Sequence, residues 1–270
     1  MSEPAPALHV TDLGQGPRTV IFLHGLLGQG KNLAGAARSL DGLAHCLLID
    51  APNHGRSAWT EEIDYPMMAD FIADELSNRG ALDDPVVLVG HSMGGKIAMC
   101  LTLDHPELVS KLCVVDIAPV SYPNAGYFNS LMDAMAGLDL TALHSRREAD
   151  EALAPEIPDR AVRGFVLQNL HHETAGHGGE GRWYWACNLD LLRRSTAVLS
   201  GFPEMAEASW DGPVLWIAGQ NSDYVRPEYR PAMAALFPEV HQVTVASAGH
   251  WVHAARPQAF AELLTAFVTV

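Results

Sequence analysis

One short segment restricts the possible folds of this chain more than any other, a serine between two glycines at the end of an apolar run. The aliphatic run Val86–Val89 leads directly into Gly90-His91-Ser92-Met93-Gly94, and a stretch with helical composition begins at Gly95. A serine in this strand–turn–helix setting sits on a sharp, strained bend that exposes its hydroxyl. The flanking glycines are needed because a side chain there would collide with neighbouring backbone. The segment therefore predicts an α/β fold with Ser92 as a nucleophile.

The remainder of the chain also favours an α/β fold with a mostly parallel sheet. Short apolar runs alternate with amphipathic stretches, as in βαβ units, and the runs lack polar alternation because helices cover both faces. The 270 residues are within the size of one α/β domain. The predicted strands are Thr19–Leu23, His45–Asp50, Val86–Gly90, Lys111–Ile117, Val214–Ala218 and His241–Ala246, with Leu8–Asp12 as an antiparallel edge strand. The predicted helices are Asn32–Leu40, Pro66–Asn78, Gly94–Leu103, Pro227–Leu236 and Pro257–Val268.

The alternation of strands and helices stops between Pro119 and Pro213. No run typical of a strand occurs across Ser121–Ser209, so we expect helices and loops there. We predict that residues 121–209 form a helical cap over the carboxyl edge of the sheet, where open α/β sheets bind ligands. Residues 1–120 and 210–270 would then form the core. The aromatic run Trp183-Tyr184-Trp185 is expected either to pack the cap onto the sheet or to line an acyl pocket.

Charge and composition argue against several functional classes. The 17 basic and 32 acidic residues give a formal net charge of −15, which disfavours binding to nucleic acid or to anionic membranes. The four cysteines have no CxxC spacing and are expected to be reduced core thiols. Neither a signal peptide nor an apolar stretch of membrane-spanning length is recognisable. We therefore expect a cytoplasmic protein without nucleic-acid or membrane partners, and the sequence does not indicate its oligomeric state.

A serine hydroxyl is a poor nucleophile unless a base removes its proton. His250 lies just after the last predicted strand and before the last predicted helix. This is the loop that carries the histidine when the catalytic residues follow the order Ser, acid, His. His253 is the nearest rival, and we expect it to be a packing residue at the start of the helix. His250 is therefore predicted to be the base.

Four motifs carry a resemblance to a known family. The motifs are His24-Gly25-Leu26-Leu27-Gly28, Asp50-Ala51-Pro52-Asn53-His54-Gly55-Arg56-Ser57, Gly90-His91-Ser92-Met93-Gly94-Gly95-Lys96 and Gly249-His250-Trp251-Val252-His253-Ala254. With these motifs in this order, the chain resembles the α/β-hydrolase superfamily across Thr19–Phe267. Asp116-Ile117-Ala118-Pro119-Val120 and Gly219-Gln220-Asn221-Ser222 make it similar to the YbfF-type esterases and their eukaryotic relatives. The resemblance implies an α/β-hydrolase fold and a serine esterase.

Two aspartates are candidates for the acid that orients His250. Asp223 lies in the loop after Val214–Ala218, where many α/β hydrolases carry their acid, but Ser222 occupies the usual position and Asp223 is one residue too far. Asp116 ends the strand that follows the nucleophile helix. The resembled esterases are thought to use the aspartate corresponding to Asp116, so the resemblance favours this residue. Either carboxylate could fix the imidazole tautomer, and Asp223 stays the alternative.

Acyl transfer also needs hydrogen-bond donors aimed at the oxyanion that develops on the substrate. One donor is predicted to be the backbone N–H of Met93, the residue after the nucleophile. The second is expected from the loop after Thr19–Leu23, where the backbone N–H of Leu26 fits. His24 and the polar residues around Asp50 are expected to support the site without taking part in the chemistry.

A histidine-rich stretch invites comparison with a metal site. His171, His172, Glu173 and His177 lie close together, but zinc-protease spacing requires a histidine where this chain has Gly176. We therefore expect a polar loop, no metal and no cofactor.

These features together predict a serine hydrolase of carboxylic esters or thioesters with short to medium acyl chains, acting through an acyl-enzyme. Its partner would be a small-molecule acyl substrate. Acyl transfer to an acceptor other than water, or hydrolysis of a carbon–carbon bond, would use the same triad and stays open. A non-catalytic ligand receptor on the same scaffold is the alternative from a different class.

Overall fold

A seven-stranded sheet organises the chain in a computed structural model that describes residues 7–123, 126–173, 181–205 and 208–270. The strands are β1 Val10–Leu13, β2 Arg18–Leu23, β3 Ala44–Ile49, β4 Val86–His91, β5 Val109–Val115, β6 Leu170–Glu173, β7 Arg182–Trp185, β8 Val214–Gly219 and β9 Val240–Val245. The sheet order is β1-β3-β2-β4-β5-β8-β9, and β6 and β7 form a separate two-stranded sheet. Only β1 runs antiparallel to its neighbour in the large sheet.

The helices fill the connections between the strands. They are α1 Ala34–Arg38, α2 Tyr65–Asn78, α3 Met93–Asp104, α4 Gly126–Gly137, α5 Arg146–Leu153, α6 Arg160–Leu167, α7 Leu189–Arg194, α8 Thr196–Ser200, α9 Arg230–Leu236, α10 Val252–Ala255 and α11 Pro257–Thr269. Short 3₁₀ turns occur at Gly30–Leu33, Pro106–Leu108 and Pro227–Tyr229. No helix in the described ranges is long and apolar enough to cross a membrane.

The central strands are apolar on both faces because each face packs against helices. Successive side chains of a strand point to opposite faces, and in β2 Ile21 belongs to one core cluster while Phe22 belongs to the other. The first cluster includes residues of α2 and α3, and the second includes residues of α1 and α11. The predicted mostly parallel α/β sheet is confirmed, and each strand predicted for it has its counterpart within a few residues.

Helix α1 is shorter than predicted. Its predicted range Asn32–Leu40 contains the end of a 3₁₀ turn, Gly30–Leu33, before the α-helix of Ala34–Arg38 begins. The hydrogen-bond pattern thus changes within one continuous amphipathic stretch, which the spacing of apolar residues does not reveal.

The expectation that no strand occurs across Ser121–Ser209 is wrong. Strand β6 pairs antiparallel with β7, and Leu170 faces Trp185 across the pair. His171 and His172 pair with Tyr184 and Trp183, with ring centroids 5.8 Å and 4.7 Å apart. Cross-strand contacts of this kind stabilise short strands. The polar imidazoles in a four-residue strand give no alternating apolar pattern, which explains why the hairpin could not be recognised.

Two glycines lead to opposite predictions for stability. A Cβ on Gly90 would lie 2.3 Å from the carbonyl oxygen of Gly94. Because backbone must then move, we expect Gly90→Ala to lower the free energy of unfolding by about 1–3 kcal/mol. Gly164 is exposed in α6 with no atom within 4 Å of an added Cβ, so Gly164→Ala should raise it by about 0.5–1 kcal/mol. Urea denaturation followed by circular dichroism measures both, and a neutral Gly90→Ala would contradict the described contact.

Candidate active site

Ser92 lies at the turn between β4 and α3 in a strained backbone conformation. Its φ of 53° and ψ of −119° are unfavourable for a residue with a side chain, at a cost of about 1–3 kcal/mol. Its N–H donates to the carbonyl of Val115, 3.0 Å away. A Cβ on Gly94 would lie 2.3 Å from the carbonyl oxygen of Leu23. The close approach of β2, β4 and α3 thus requires the glycines that the sequence places beside Ser92.

A chain of two hydrogen bonds runs from this serine to a buried carboxylate. Ser92 Oγ lies 2.9 Å from His250 Nε2, and His250 Nδ1 lies 2.8 Å from Asp116 Oδ2. Because a carboxylate only accepts, Nδ1 carries the proton and leaves Nε2 as an acceptor for the serine hydroxyl. The arrangement is the geometry by which an imidazole removes a proton from an attacking serine.

The two candidate acids lie in different environments. Asp116 follows β5, has no exposed surface and accepts a hydrogen bond from the Gly219 N–H, 2.8 Å away. The Asp223 side chain is 88% exposed and forms an ion pair with Arg226 at 3.5 Å. The structure thus brings Asp116 to His250 and leaves Asp223 at the surface.

Ser222 also contacts the buried carboxylate, a role that the sequence analysis missed. Its hydroxyl donates to Asp116 Oδ2, the same oxygen that His250 contacts. In the sequence Ser222 occupies the position where many α/β hydrolases carry the acid. The position of Ser222 could have indicated this role. A side chain at the usual position of the acid is expected to lie near the catalytic histidine, so a serine there can contact the carboxylate that replaces the usual acid.

Two backbone N–H groups are available beside Ser92 for an oxyanion. Met93 is the first residue of α3, so its N–H has no intrahelical acceptor. The N–H of Leu26 donates to no acceptor in the described ranges. Leu26, Met93 and Ser92 line the same cavity, which is the arrangement expected for an oxyanion hole.

Two cavities meet at the serine. The larger encloses about 50 Å³ and is mainly apolar, and Lys96, Phe128 and Tyr224 contribute to its walls. The smaller encloses about 20 Å³ next to His250. The aromatic run Trp183–Trp185 lines neither of them and forms β7 instead. Ser92 therefore borders one apolar space and one space beside His250.

Comparison with known proteins places this geometry in a family. The family model of the α/β hydrolase fold matches residues 18–257. The chain belongs to the α/β hydrolases. The sn-1-specific diacylglycerol lipase ABHD11 of Mus musculus is 36% identical over 255 residues, covering 92% of this chain and 80% of the relative. Esterase YbfF of Escherichia coli strain K12 is 32% identical over 240 residues, 89% of each protein.

A solved structure of a marine microorganism esterase superposes on this α/β hydrolase with a TM-score of 0.91. The two chains are 30% identical, and the match covers 97% of this chain and 99% of the other. The predicted family and α/β-hydrolase fold are confirmed, as is the prediction of a serine ester hydrolase.

Buried neutral histidines hold the loop of this α/β hydrolase that carries Leu26. His24 donates from Nδ1 to the Gly25 carbonyl and accepts at Nε2 from the Ala51 N–H. His54 accepts at Nε2 from the Leu27 N–H, 3.2 Å away. Burial lowers the pKa of His24, and it lowers the pKa of His54 to about 3, so both rings stay neutral and keep an acceptor. These residues support the loop, in agreement with the role expected for His24.

Two further residues position His250, and the sequence analysis missed both. His91 donates from Nε2 to the His250 carbonyl at 2.9 Å, and burial holds the pKa of His91 well below its usual range. The Tyr224 ring stacks on the His250 ring with centroids 4.1 Å apart. His253, the rival base, packs against His91 at 4.7 Å between centroids. The roles of His91 and Tyr224 depend on contacts between loops that are far apart in the chain, so the sequence alone does not indicate them.

The histidine-rich stretch does not form a recognisable metal centre in the part of the chain that the structure describes. His171 and His172 lie in β6, and Glu173 pairs with Arg182 at 2.8 Å. His177 lies outside the described residues.

The contact between Ser222 and Asp116 leads to a prediction for turnover. We expect Ser222→Ala to lower kcat for ester hydrolysis by about 10- to 100-fold, because the carboxylate loses a charge-assisted hydrogen bond of about 1.5–3 kcal/mol. The measurement is steady-state hydrolysis of p-nitrophenyl acetate. Ser110→Ala is the matched control, since Ser110 donates to the Val86 carbonyl at 3.0 Å far from the site. Equal kcat values for the two variants would contradict a role for Ser222.

Proposed function

We propose that this α/β hydrolase cleaves esters or thioesters of short to medium acyl chains through a covalent acyl-enzyme on Ser92. The observation that carries the proposal is the hydrogen-bonded sequence Ser92 Oγ–His250 Nε2 at 2.9 Å and His250 Nδ1–Asp116 Oδ2 at 2.8 Å. The names of the mouse lipase and of the bacterial esterase support an ester as the substrate.

The proposed first half-reaction forms the acyl-enzyme. Ser92 Oγ attacks the acyl carbon while His250 Nε2 takes the hydroxyl proton, and Asp116 stabilises the resulting imidazolium. The oxyanion accepts hydrogen bonds from the backbone N–H groups of Leu26 and Met93. His250 then gives its proton to the departing alkoxide or thiolate, and the bond from the acyl carbon to the leaving group breaks.

The second half-reaction releases the acid and restores the serine. His250 takes a proton from water as the water oxygen attacks the acyl carbon. The tetrahedral intermediate collapses, the bond to Ser92 Oγ breaks, and His250 returns the proton to this oxygen. The products are a carboxylic acid and the free enzyme, so the cycle consumes one water for each ester.

The size of the apolar cavity supports a short acyl group. The cavity encloses about 50 Å³, and a water-sized group requires about 10–15 Å³ by the same measure. The enclosed part therefore holds a chain of only a few heavy atoms. The smaller cavity lies beside His250. Because His250 must protonate the leaving group, we assign the alcohol or thiol to this cavity.

We propose that residues 121–209 act as the cap of this site, over a core of residues 1–120 and 210–270. Phe128 of α4 and Thr196 and Leu199 of α8 line the larger cavity together with Ser92. The cap would thus contribute the acyl-binding wall, while the reacting groups belong to the core.

The proposed roles predict three different effects of substitution. Ser92→Ala should abolish both turnover of p-nitrophenyl acetate and labelling by a fluorophosphonate. Asp116→Asn should lower kcat by about 10³–10⁴-fold, because the imidazole loses the partner that fixes its tautomer. Asp223→Asn is the matched control and should stay within about threefold, because its exposed side chain makes only a screened surface ion pair. A large loss in Asp223→Asn with near-normal Asp116→Asn would assign the acid to Asp223.

Product analysis in the same assay distinguishes hydrolysis from acyl transfer. Free acetate should account for the p-nitrophenol released, even with a tenfold excess of a primary alcohol over the ester. An acetyl ester of that alcohol as the main product would replace the proposal with an acyltransferase. Absence of labelling in the wild type would indicate an unactivated serine and favour a ligand receptor.

A further inference from the structure

Lys96 carries a buried amine that the proposed chemistry does not use. It lies in α3, four residues after Ser92, its relative exposure is 1%, and it lines the larger cavity. It forms no ion pair with any described carboxylate. An isolated charge in such a place is costly unless other groups satisfy its protons, so the contacts around its ammonium group indicate what it does.

Those contacts lead to the end of one helix. Lys96 Nζ donates to the carbonyl of Ser200, 3.0 Å away, and to the carbonyl of Gly201. It also lies 4.9 Å from the centroid of the Tyr122 ring and 5.4 Å from that of Tyr65, within cation–π distance. The last carbonyls of a helix have no intrahelical donors. Lys96 thus satisfies backbone acceptors that the end of α8 leaves free.

Two further groups hold the same turn, one from the core and one from the start of the proposed cap. The Tyr65 hydroxyl at the start of α2 donates to the Leu199 carbonyl at 2.6 Å. The backbone N–H of Tyr122 donates to the Ser200 carbonyl at 2.9 Å. Three consecutive carbonyls of the chain, from Leu199 to Gly201, are therefore bound by the core. We call these contacts the α8 tether.

Apart from Gly201, the residues of the α8 tether also line the apolar cavity. Thr196, Leu199 and Ser200 of α8 line this cavity together with Ser92 and Lys96. Burial lowers the pKa of Lys96 to about 7. An ammonium has three donors and a neutral amine has two, so either form can serve both carbonyls. A side chain on the helix that begins after Ser92 thus binds the end of the helix that contributes to the cavity wall.

We propose that Lys96 is a positioning residue for substrate specificity, which holds the end of α8 against the core and thereby limits the length of acyl chain that the cavity accepts. The inference rests on the proposed ester hydrolysis at Ser92. Loss of the Lys96 amine releases the end of α8, which forms part of the cavity wall. An apolar side chain in place of Lys96 also makes the end of the cavity more apolar. Both effects favour longer acyl chains over acetate.

Lys96→Met tests the proposal, because methionine keeps most of the side-chain length and removes the donors. We measure kcat and KM for p-nitrophenyl acetate and p-nitrophenyl hexanoate, together with the midpoint of thermal unfolding. The hexanoate-to-acetate ratio of kcat/KM should rise at least tenfold, with the change mainly in KM. A merely structural role would lower both activities together and leave the ratio unchanged.

Two further variants make the outcome decisive. Tyr65→Phe removes only the hydroxyl that binds the Leu199 carbonyl and should shift the ratio in the same direction by about threefold. Lys111→Met is the matched control, since Lys111 Nζ donates to the Phe267 carbonyl at 2.9 Å and lies 5.5 Å from that ring, away from the cavity. Lys111→Met should leave the ratio unchanged.

The outcomes separate this inference from the proposed function. If the wild type hydrolyses both esters but neither Lys96→Met nor Tyr65→Phe shifts the ratio, the α8 tether does not set specificity, while ester hydrolysis stands. If the wild type hydrolyses neither ester and no fluorophosphonate labels Ser92, the proposed function itself is wrong. If Lys96→Met does not fold, the ratio for Tyr65→Phe decides.

Discussion

The site depends on how closely three backbone segments approach one another at Ser92. The serine has a positive φ, and the glycines at positions 90 and 94 admit backbone contacts that no side chain would allow. A conformation of this kind costs about 1–3 kcal/mol and persists only where its surroundings determine it. Here those surroundings are β2, β4 and α3, buried between two apolar clusters. The packing of the sheet therefore offsets the strain that exposes the nucleophile.

Parallel topology brings the other two residues of the proposed triad to the same edge of the sheet. The carboxyl ends of parallel strands lie along one edge of a sheet. Asp116 and His250 follow β5 and β9 and are separated by 134 residues of chain. Asp116 also has a positive φ of 53°, which turns its carboxylate from the strand direction toward the Gly219 N–H and the histidine. The topology thus brings Asp116 and His250 near each other, and the local backbone of Asp116 then orients its carboxylate toward the histidine.

The sequence was sufficient for some parts of this arrangement and insufficient for others. The pairing of Ser92 with His250 could be predicted, because a turn motif and a position after the last strand are local signals. Asp116 could be preferred to Asp223 only by resemblance, since both follow a strand at a plausible distance. The decisive difference is the donor set around each carboxylate, which depends on tertiary contacts. The β6–β7 hairpin was missed because its four-residue strands carry polar imidazoles in paired positions.

Helix α3 links the turn that carries Ser92 to the wall of the apolar cavity. Ser92 precedes its first residue, and Lys96 lies one turn later with its amine against the end of α8. The His250 ring is held by other groups, namely His91, Tyr224 and Asp116. Tyr122 connects the two sets of contacts, because its N–H binds the Ser200 carbonyl and its hydroxyl donates to the Tyr224 carbonyl. On the proposed roles, substitution of Lys96 would chiefly change which acyl group is accepted, because Lys96 contacts the end of α8 directly. Substitution of Asp116 would change how fast any acyl group reacts, because Asp116 contacts His250 directly.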